Sequence, residues 1–144
     1  MSWSAFEHIS DPVNMCREVL RILRPGGLLF LQLWPFYYSD RGSHLWEWYP
    51  APFHHLTDRD DDVVAGMRSS SLHSPDHTQN MVEEFRSLNR LTLEGLHRSL
   101  LAGGLRVARL ELMTGTINIP QELACHQLAD LAVSGVKLVA VPVG

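Results

Sequence analysis

The chain has 144 residues and a formal net charge of −4 at pH 7, with 45% hydrophobic and 19% charged residues. This length is enough to bury a core, and the balance of apolar to charged residues is typical of a globular protein rather than a disordered one. The weak negative charge excludes the basic surface that nucleic acids and anionic membranes require, so we expect neither as a partner.

The first residues and the cysteines bear on localisation. The first residues include the acidic Glu7 and Asp11 and do not show the basic segment followed by an apolar segment that is typical of a leader peptide. The most apolar run of the chain is too short to cross a bilayer. The only cysteines, Cys16 and Cys125, are far apart in the sequence and form no paired motif. We therefore expect a cytoplasmic protein with two reduced thiols.

The first strong elements in chain order are a helix and a strand. Asp11 followed by Pro12 predicts a helix start, and apolar residues recur at helical spacing as far as Leu23. Pro25 and two glycines end this helix. The near-continuous apolar run Leu28–Trp34 then predicts a strand that is covered on both faces.

The middle of the chain, residues 35–74, is rich in aromatic residues, Pro and His. Thr57, followed by three consecutive aspartates at 60–62, predicts the N-terminus of a helix, because acidic side chains stabilise a first turn. A further helix is predicted over Thr78–Leu88. We treat the whole stretch as an aromatic-rich insert.

The last third of the chain alternates helices and strands. Thr92 predicts a capped helix that ends at two glycines, and Leu105–Met113 predicts a strand. Pro120 predicts the start of a helix that continues through Ala132. The strongly apolar segment Val136–Pro142 predicts an interior strand.

Two parts of this pattern resemble class I S-adenosylmethionine-dependent methyltransferases. Trp3–Pro12 reads WSAFEHISDP and Arg17–Gly27 reads REVLRILRPGG, and together they resemble the segment after strand 4, the next helix and the turn into strand 5 of that family. A weaker similarity, to a later helix and the sixth strand, covers Leu91–Leu112.

This resemblance implies an α/β fold with a partial Rossmann-like methyltransferase sheet, flanking helices and the aromatic-rich insert. The segments 28–34, 136–142 and 105–113 would be equivalent to strands 5, 7 and 6. We expect the last strand of the chain to lie antiparallel between the other two.

The resemblance also has a gap. The family holds its cofactor with a Gly-rich turn after strand 1 and an acidic residue at the end of strand 2, and this chain has no GxGxG motif. We expect residues 1–144 to be a single C-terminal portion of the domain, with the cofactor-binding N-terminal half absent. S-adenosylmethionine should then bind the chain alone weakly or not at all. Strand 28–34 would present an open edge, which predicts self-association or pairing with a separate N-terminal half.

Ligands of open α/β sheets bind beyond the carboxyl ends of the strands, and the resemblance places two segments there. The first offers candidate cofactor contacts, which are Ser2, Trp3, Ser4 and Glu7. It also offers His8 as a candidate catalytic residue, with helix capping or packing as the alternative role. The second segment offers His44 as another candidate catalytic residue.

The aromatic residues after strand 28–34 have two interpretations. The candidates for the wall of an acceptor-binding pocket are Trp34, Tyr37, Tyr38, Trp46, Trp48 and Tyr49, and the core of an insert is the alternative. No metal site is predicted. The adjacent pair at 54–55 cannot easily face one ion, and Pro75 interrupts the helical spacing between His73 and His77.

The sequence therefore predicts methyl transfer from S-adenosylmethionine to a small-molecule acceptor. The alternative is a non-catalytic interaction module or a pseudoenzyme remnant of the same fold.

Overall fold

The computed structural model describes residues 1–3 and 5–144, with Trp3 described by its backbone only. Within these residues, four strands and six α-helices follow one another in a mixed α/β order. They are β1 Ser2–Trp3, α1 Pro12–Ile22, β2 Leu29–Leu33, α2 His54–Thr57, α3 Asp60–Ser69, α4 Pro75–Ser87, α5 Leu93–Ala102, β3 Leu105–Thr114, α6 Leu128–Ala132 and β4 Val133–Pro142. Two 3₁₀ turns cover Phe6–His8 and Gln121–Leu123.

The strands form one sheet in the order β1-β2-β4-β3. Strand β1 pairs with β2 in parallel, so β1, α1 and β2 make a short β–α–β unit. Strand β4 is antiparallel to both β2 and β3 and lies between them. The predicted central and antiparallel position of the last strand is confirmed.

The edge of β2 differs from the sequence-based expectation. Ser2 pairs with Leu31, and Trp3 pairs with Gln32. The prediction of an open edge along strand 28–34 is therefore wrong at Leu31 and Gln32, because the first residues of the chain cover the edge there.

Local signals fix the ends of several helices. The Asp11 carboxylate accepts a hydrogen bond from the Asn14 amide at 2.9 Å, and the Thr92 hydroxyl accepts one from the Gly95 amide at 2.9 Å. Both caps agree with the prediction. Where α5 ends, a side chain at Gly103 would lie 2.2 Å from Cβ of Cys16, so this close approach to α1 requires glycine.

Three predicted boundaries are wrong. Thr57 ends α2, where its hydroxyl donates to the His54 carbonyl at 3.1 Å, and α3 begins only at Asp60. Helix α4 begins at Pro75 rather than Thr78, because the Ser74 hydroxyl caps it. The helix predicted from Pro120 is a 3₁₀ turn followed by the short α6, and strand pairing takes over at Val133.

Two main groups of buried side chains support these elements. One joins the sheet to α1 and α5 and includes Phe6, Cys16, Leu31, Leu96, Leu100, Val136 and Leu138. The other fills the insert and includes Leu45, Val63, Met67, Val82, Phe85 and Leu88. Among the described residues, no helix combines the length and the apolarity needed to span a bilayer.

Candidate functional site

The structure brings the two predicted catalytic histidines together. His8 ends the 3₁₀ turn after β1, and His44 lies in the loop that follows β2. Their ring centroids are 5.6 Å apart. Glu84 of α4 completes the group, with its Oε1 atom 3.3 Å from His44 Nδ1 and 3.9 Å from His8 Nε2. We call these three residues the inner cluster.

His8 is held in place by the end of α4. The Asn89 side-chain amide donates to the carbonyl oxygens of Phe6 and Ile9 at 2.7 and 3.0 Å, which ties the 3₁₀ turn to the loop after α4. Ser87 donates its hydroxyl proton to the Glu84 carbonyl at 2.8 Å, so its oxygen accepts from His8 Nδ1 at 3.1 Å. This contact leaves Nε2 of His8 directed towards the Glu84 carboxylate.

His44 has a constrained backbone and an enclosed ring. Its φ angle of 64° lies in the left-handed region, and Leu45 next to it is fully buried in the core of the insert. Because a carboxylate only accepts hydrogen bonds, Nδ1 of His44 carries the proton that Glu84 receives. The other ring nitrogen, Nε2, is buried and has no hydrogen-bond partner among the described residues.

The surroundings of His44 set its protonation. Burial lowers the pKa of the imidazole below its ordinary value, and the hydrogen bond that His44 donates to Glu84 opposes this effect only in part. A neutral ring with a bare Nε2 is the form that accepts a proton in general base catalysis. The inner cluster is therefore equipped for acid–base chemistry.

A cavity of about 230 Å³ adjoins His44 and Glu84. Its other lining residues are Trp46, Glu47, Trp48, His77 and Met81. Sites for drug-sized ligands measure about 300–1,000 Å³, so this cavity fits only a small molecule.

Of the six aromatic residues predicted to form the acceptor wall, Trp46 and Trp48 line this cavity, whereas Trp34, Tyr37, Tyr38 and Tyr49 do not. Tyr37 is buried, with burial raising the pKa of its hydroxyl to about 12, and it lies under the Arg90 guanidinium at 4.7 Å from its ring centroid. Tyr38 packs against Tyr37 with ring centroids 5.3 Å apart. Tyr37 thus belongs to the core of the insert, which was the alternative interpretation.

Trp34 is connected to the cavity only through a neighbour. Its ring centroid lies 6.2 Å from that of Trp46, and Trp46 lies 6.2 Å from His44. Trp34 is itself exposed. Trp46, one of the predicted wall residues, borders both His44 and the cavity.

The predicted cofactor contacts are placed unevenly. Ser2 lies in β1, whereas Ser4 and the side chain of Trp3 are outside the described residues. Glu7 is only 5% exposed, and burial raises the pKa of its carboxyl. Its Oε2 atom is buried without a hydrogen-bond partner among the described residues. An enclosed carboxyl group of this kind does not fit a contact with a cofactor approaching from solvent.

Sequence reasoning missed Glu84 and Ser87. A glutamate and a serine near the end of an amphipathic helix are typical of a solvated face, and nothing local separates them from Glu83 or Arg86. The only available signal was the spacing of His77, Met81 and Glu84, which places the three on one face of α4.

No family model, no curated protein and no solved structure matches the chain. The inner cluster, the cavity beside it and the sequence resemblance are the features of the chain that bear on its function.

Proposed function

We propose that the chain is the acceptor-side portion of a class I S-adenosylmethionine-dependent methyltransferase, and that it supplies a general base to a small acceptor. One observation carries the proposal. His8 and His44 follow two adjacent parallel strands and meet around the Glu84 carboxylate, beyond the carboxyl ends of β1 and β2. This is where ligands of open α/β sheets bind.

The strand order supports the same proposal. An antiparallel strand inserted between two others is the arrangement that the sequence resemblance implies for strands 5, 7 and 6. The short parallel strand β1 pairs with β2 on the side where strand 4 was expected to be missing. Other mixed sheets can share this order, so it is supporting evidence rather than the main argument.

Two observations support weak cofactor binding by this chain alone: Glu7 is enclosed, and the sequence contains no GxGxG motif. In this proposal S-adenosylmethionine is held mainly by residues outside this chain. It supplies the electrophilic methyl group there, and the residues of this chain act on the acceptor.

The acid–base step follows from the inner cluster. An acceptor O–H or N–H in the cavity donates its proton to Nε2 of His44 as the heteroatom becomes the nucleophile. The Glu84 carboxylate, 3.3 Å from Nδ1, stabilises the imidazolium that forms. Because Nε2 is enclosed, a lining side chain has to move first, and in this proposal it is Trp46, which lies beside His44 and is 41% exposed.

The cavity limits the acceptor. Two indole rings and Met81 line it, together with Glu47, Glu84 and two histidines. Its aromatic walls favour a flat, apolar ring, whereas its carboxylates disfavour an anionic group. A small neutral molecule with one phenolic or amine group meets these conditions.

One observation favours the alternative of a non-catalytic module, which is the poor fit of Glu7 to a cofactor contact. The alternative leaves the geometry of the inner cluster without a role. The two candidates make opposite predictions for methyl transfer.

The test is transfer of a tritiated methyl group from S-adenosylmethionine to a pool of small phenols and amines. The protein should be expressed from DNA that includes the coding sequence on either side of this chain. The assay should compare wild type with H44N and H97N. Asparagine tolerates the left-handed backbone of residue 44 but is not a base at neutral pH. His97 is an exposed histidine on α5 and serves as the control.

We expect wild type and H97N to methylate an acceptor and H44N to lose activity by about 100-fold or more. No transfer to any acceptor, or full activity in H44N, would contradict the proposal and favour the non-catalytic module.

A further inference from the structure

A second group of one glutamate and two histidines lies on the outer side of the same region. Glu47 Oε2 is 2.8 Å from His73 Nε2, and the ring centroids of His73 and His77 are 4.8 Å apart. One ligand atom from each of the three residues lies within 4.8 Å of the other two. We call these residues the outer cluster.

Pro75 prevents a helical pairing of His73 and His77, as the sequence predicts. It is the first residue of α4, where its ring is compatible with the helix, and Ser74 caps the helix from outside. The two histidine rings come together by another route. His73 precedes the cap and folds back over His77.

The contact between His73 and Glu47 is short but not directed as a hydrogen bond. Nε2 of His73 is buried and has no hydrogen-bond partner among the described residues, although the carboxylate oxygen is 2.8 Å away. An imidazole nitrogen and a carboxylate oxygen that converge in this way are placed as two ligands of one cation.

Trp48 holds the two rings in place. Its indole centroid lies 4.4 Å from that of His73 and 5.6 Å from that of His77, and it is stacked on the latter at 17°. A ligand set of this kind therefore needs little ordering before it binds an ion, and Trp48 reports on occupancy through its fluorescence.

We propose that Glu47, His73 and His77 bind one divalent transition-metal ion, with Zn²⁺ as the best match. Two imidazoles and one carboxylate are typical Zn²⁺ ligands, and hard cations such as Mg²⁺ and Ca²⁺ prefer oxygen alone. Ligand atoms around a tetrahedral Zn²⁺ are about 3.4 Å apart for bonds of about 2.1 Å. Small rotations of the half-exposed Glu47 and exposed His77 bring the present separations to this value.

The inner cluster is a weaker competitor for the ion. The single carboxylate of this group, Glu84, already accepts a hydrogen bond from Nδ1 of His44, and an ion would have to displace that bond. The outer cluster is also closer to solvent, with Glu47 52% exposed. The metal proposal does not depend on methyl transfer.

The test is calorimetric titration of the metal-stripped 144-residue chain, free of a polyhistidine tag, with ZnCl₂ at pH 7.5. The variants are E47Q, H73A and H77A in the outer cluster, H8A and H44N in the inner cluster, and H97A as the control on α5. Glu47 is exposed, so E47Q leaves folding intact even where a histidine variant is destabilised.

We expect wild type, H8A, H44N and H97A to bind one Zn²⁺ ion with micromolar affinity. E47Q, H73A and H77A should weaken Zn²⁺ binding by about tenfold or more. Loss of a group that only hydrogen-bonds to a metal ligand already weakens metal binding by about tenfold or more, and loss of a ligand should cost at least as much. Co²⁺ should quench tryptophan fluorescence, and W48F should remove most of this change while keeping the calorimetric stoichiometry.

Two results would overturn the proposal. One is the absence of Zn²⁺ binding below about millimolar concentration in wild type. The other is binding that survives in E47Q and H73A but is lost in H8A or H44N, which would assign the ion to the inner cluster.

Discussion

The inner and outer clusters contain the same three side chains, one glutamate and two histidines, and border the same cavity. In the inner cluster each Nδ1 atom has a hydrogen-bond partner, and burial lowers the pKa of His44. In the outer cluster Glu47 is half-exposed and its contact with His73 is not aligned as a hydrogen bond. Identical residue types are thus prepared for proton transfer in one place and for metal binding in the other.

Helix α4 connects the two clusters. It carries His77 in its first turn and Glu84 two turns later, on the same face, with Met81 between them. The difference between the clusters therefore comes from the loops that pack against this helix. One loop presents His44 with a left-handed backbone, and the other folds His73 over the helix start.

Removing the base of the inner cluster should have the largest effect and should separate the two clusters. H44N should lower the rate of methyl transfer by about 10²–10⁴-fold, the usual contribution of a general base. Zn²⁺ affinity in the same preparation should stay within about twofold of wild type, because Glu47, His73 and His77 are unchanged. Parallel loss of both properties would show that the clusters are one site.

Both clusters depend on the packing of α4, so a substitution that loosens this helix should weaken the functions of both. Phe85 of α4 is fully buried in the core of the insert, and F85A should lower the free energy of unfolding by about 3–5 kcal/mol. L100A, fully buried in the sheet core, is the matched control. In urea melts followed by circular dichroism, both variants should be destabilised, whereas Zn²⁺ binding should be lost at lower urea in F85A. Equal urea dependence of Zn²⁺ binding in the two variants would contradict a special role of α4.

The sequence was most informative where local signals and burial agree. Asp11, Pro12 and the apolar run into β2 define a helix and a strand that the structure contains, and the apolar Val136–Pro142 segment lies inside the sheet as expected. His8 and His44 were found because they follow strands, and residues in those positions converge at one end of a sheet.

The rest depended on contacts between distant segments. The acidic run after Thr57 indicates a helix start, but Thr57 is used to end α2, and α6 is short because Val133 pairs with Thr114 of β3. Glu84 acquires its role only when α4 packs against the loops that carry His8 and His44. The spacing of residues along the chain does not predict that packing.

His55 is a buried histidine that belongs to neither cluster, and its protonation can be compared with that of the histidines in the two clusters. His55 donates from Nε2 to the Tyr37 carbonyl at 2.6 Å, and burial lowers its pKa to about 4 in spite of this bond. The unfolded chain, with a histidine pKa of about 6.5, therefore binds a proton between pH 6.5 and 4 that the folded chain does not. The stability from His55 is fully present above pH 6.5 and is lost as the pH falls towards 4, by about 3 kcal/mol in total.

The pH effect is measured by urea unfolding of wild type and H55Q at pH 7, 6, 5 and 4. Glutamine can reproduce the donor but does not titrate. Burial also lowers the pKa of His44 and His54, so both proteins should lose stability at low pH, and wild type should lose more. Equal losses in the two proteins would show that His55 is not held neutral.

The smallest effect should come from Ser87, which orients His8. S87A should lower kcat by roughly three- to tenfold with little change in KM, and should change the free energy of unfolding by about 1 kcal/mol or less. S69A is the matched control, because the Ser69 hydroxyl donates to the Gly66 carbonyl in the same way but contacts neither cluster. A change in KM alone, or the same kinetic change in S69A, would show that Ser87 does not position His8.

The most direct test of the difference between the clusters is nitrogen-15 NMR of the histidine rings, recorded across a pH series and then with added Zn²⁺. For His44 we expect a proton on Nδ1, a bare Nε2 and a pKa below its ordinary value. One equivalent of Zn²⁺ should shift the ring nitrogens of His73 and His77 and leave those of His8 and His44 in place. A proton on Nε2 of His44, or Zn²⁺ shifts that appear first at His8 and His44, would contradict the separate roles assigned to the inner and outer clusters.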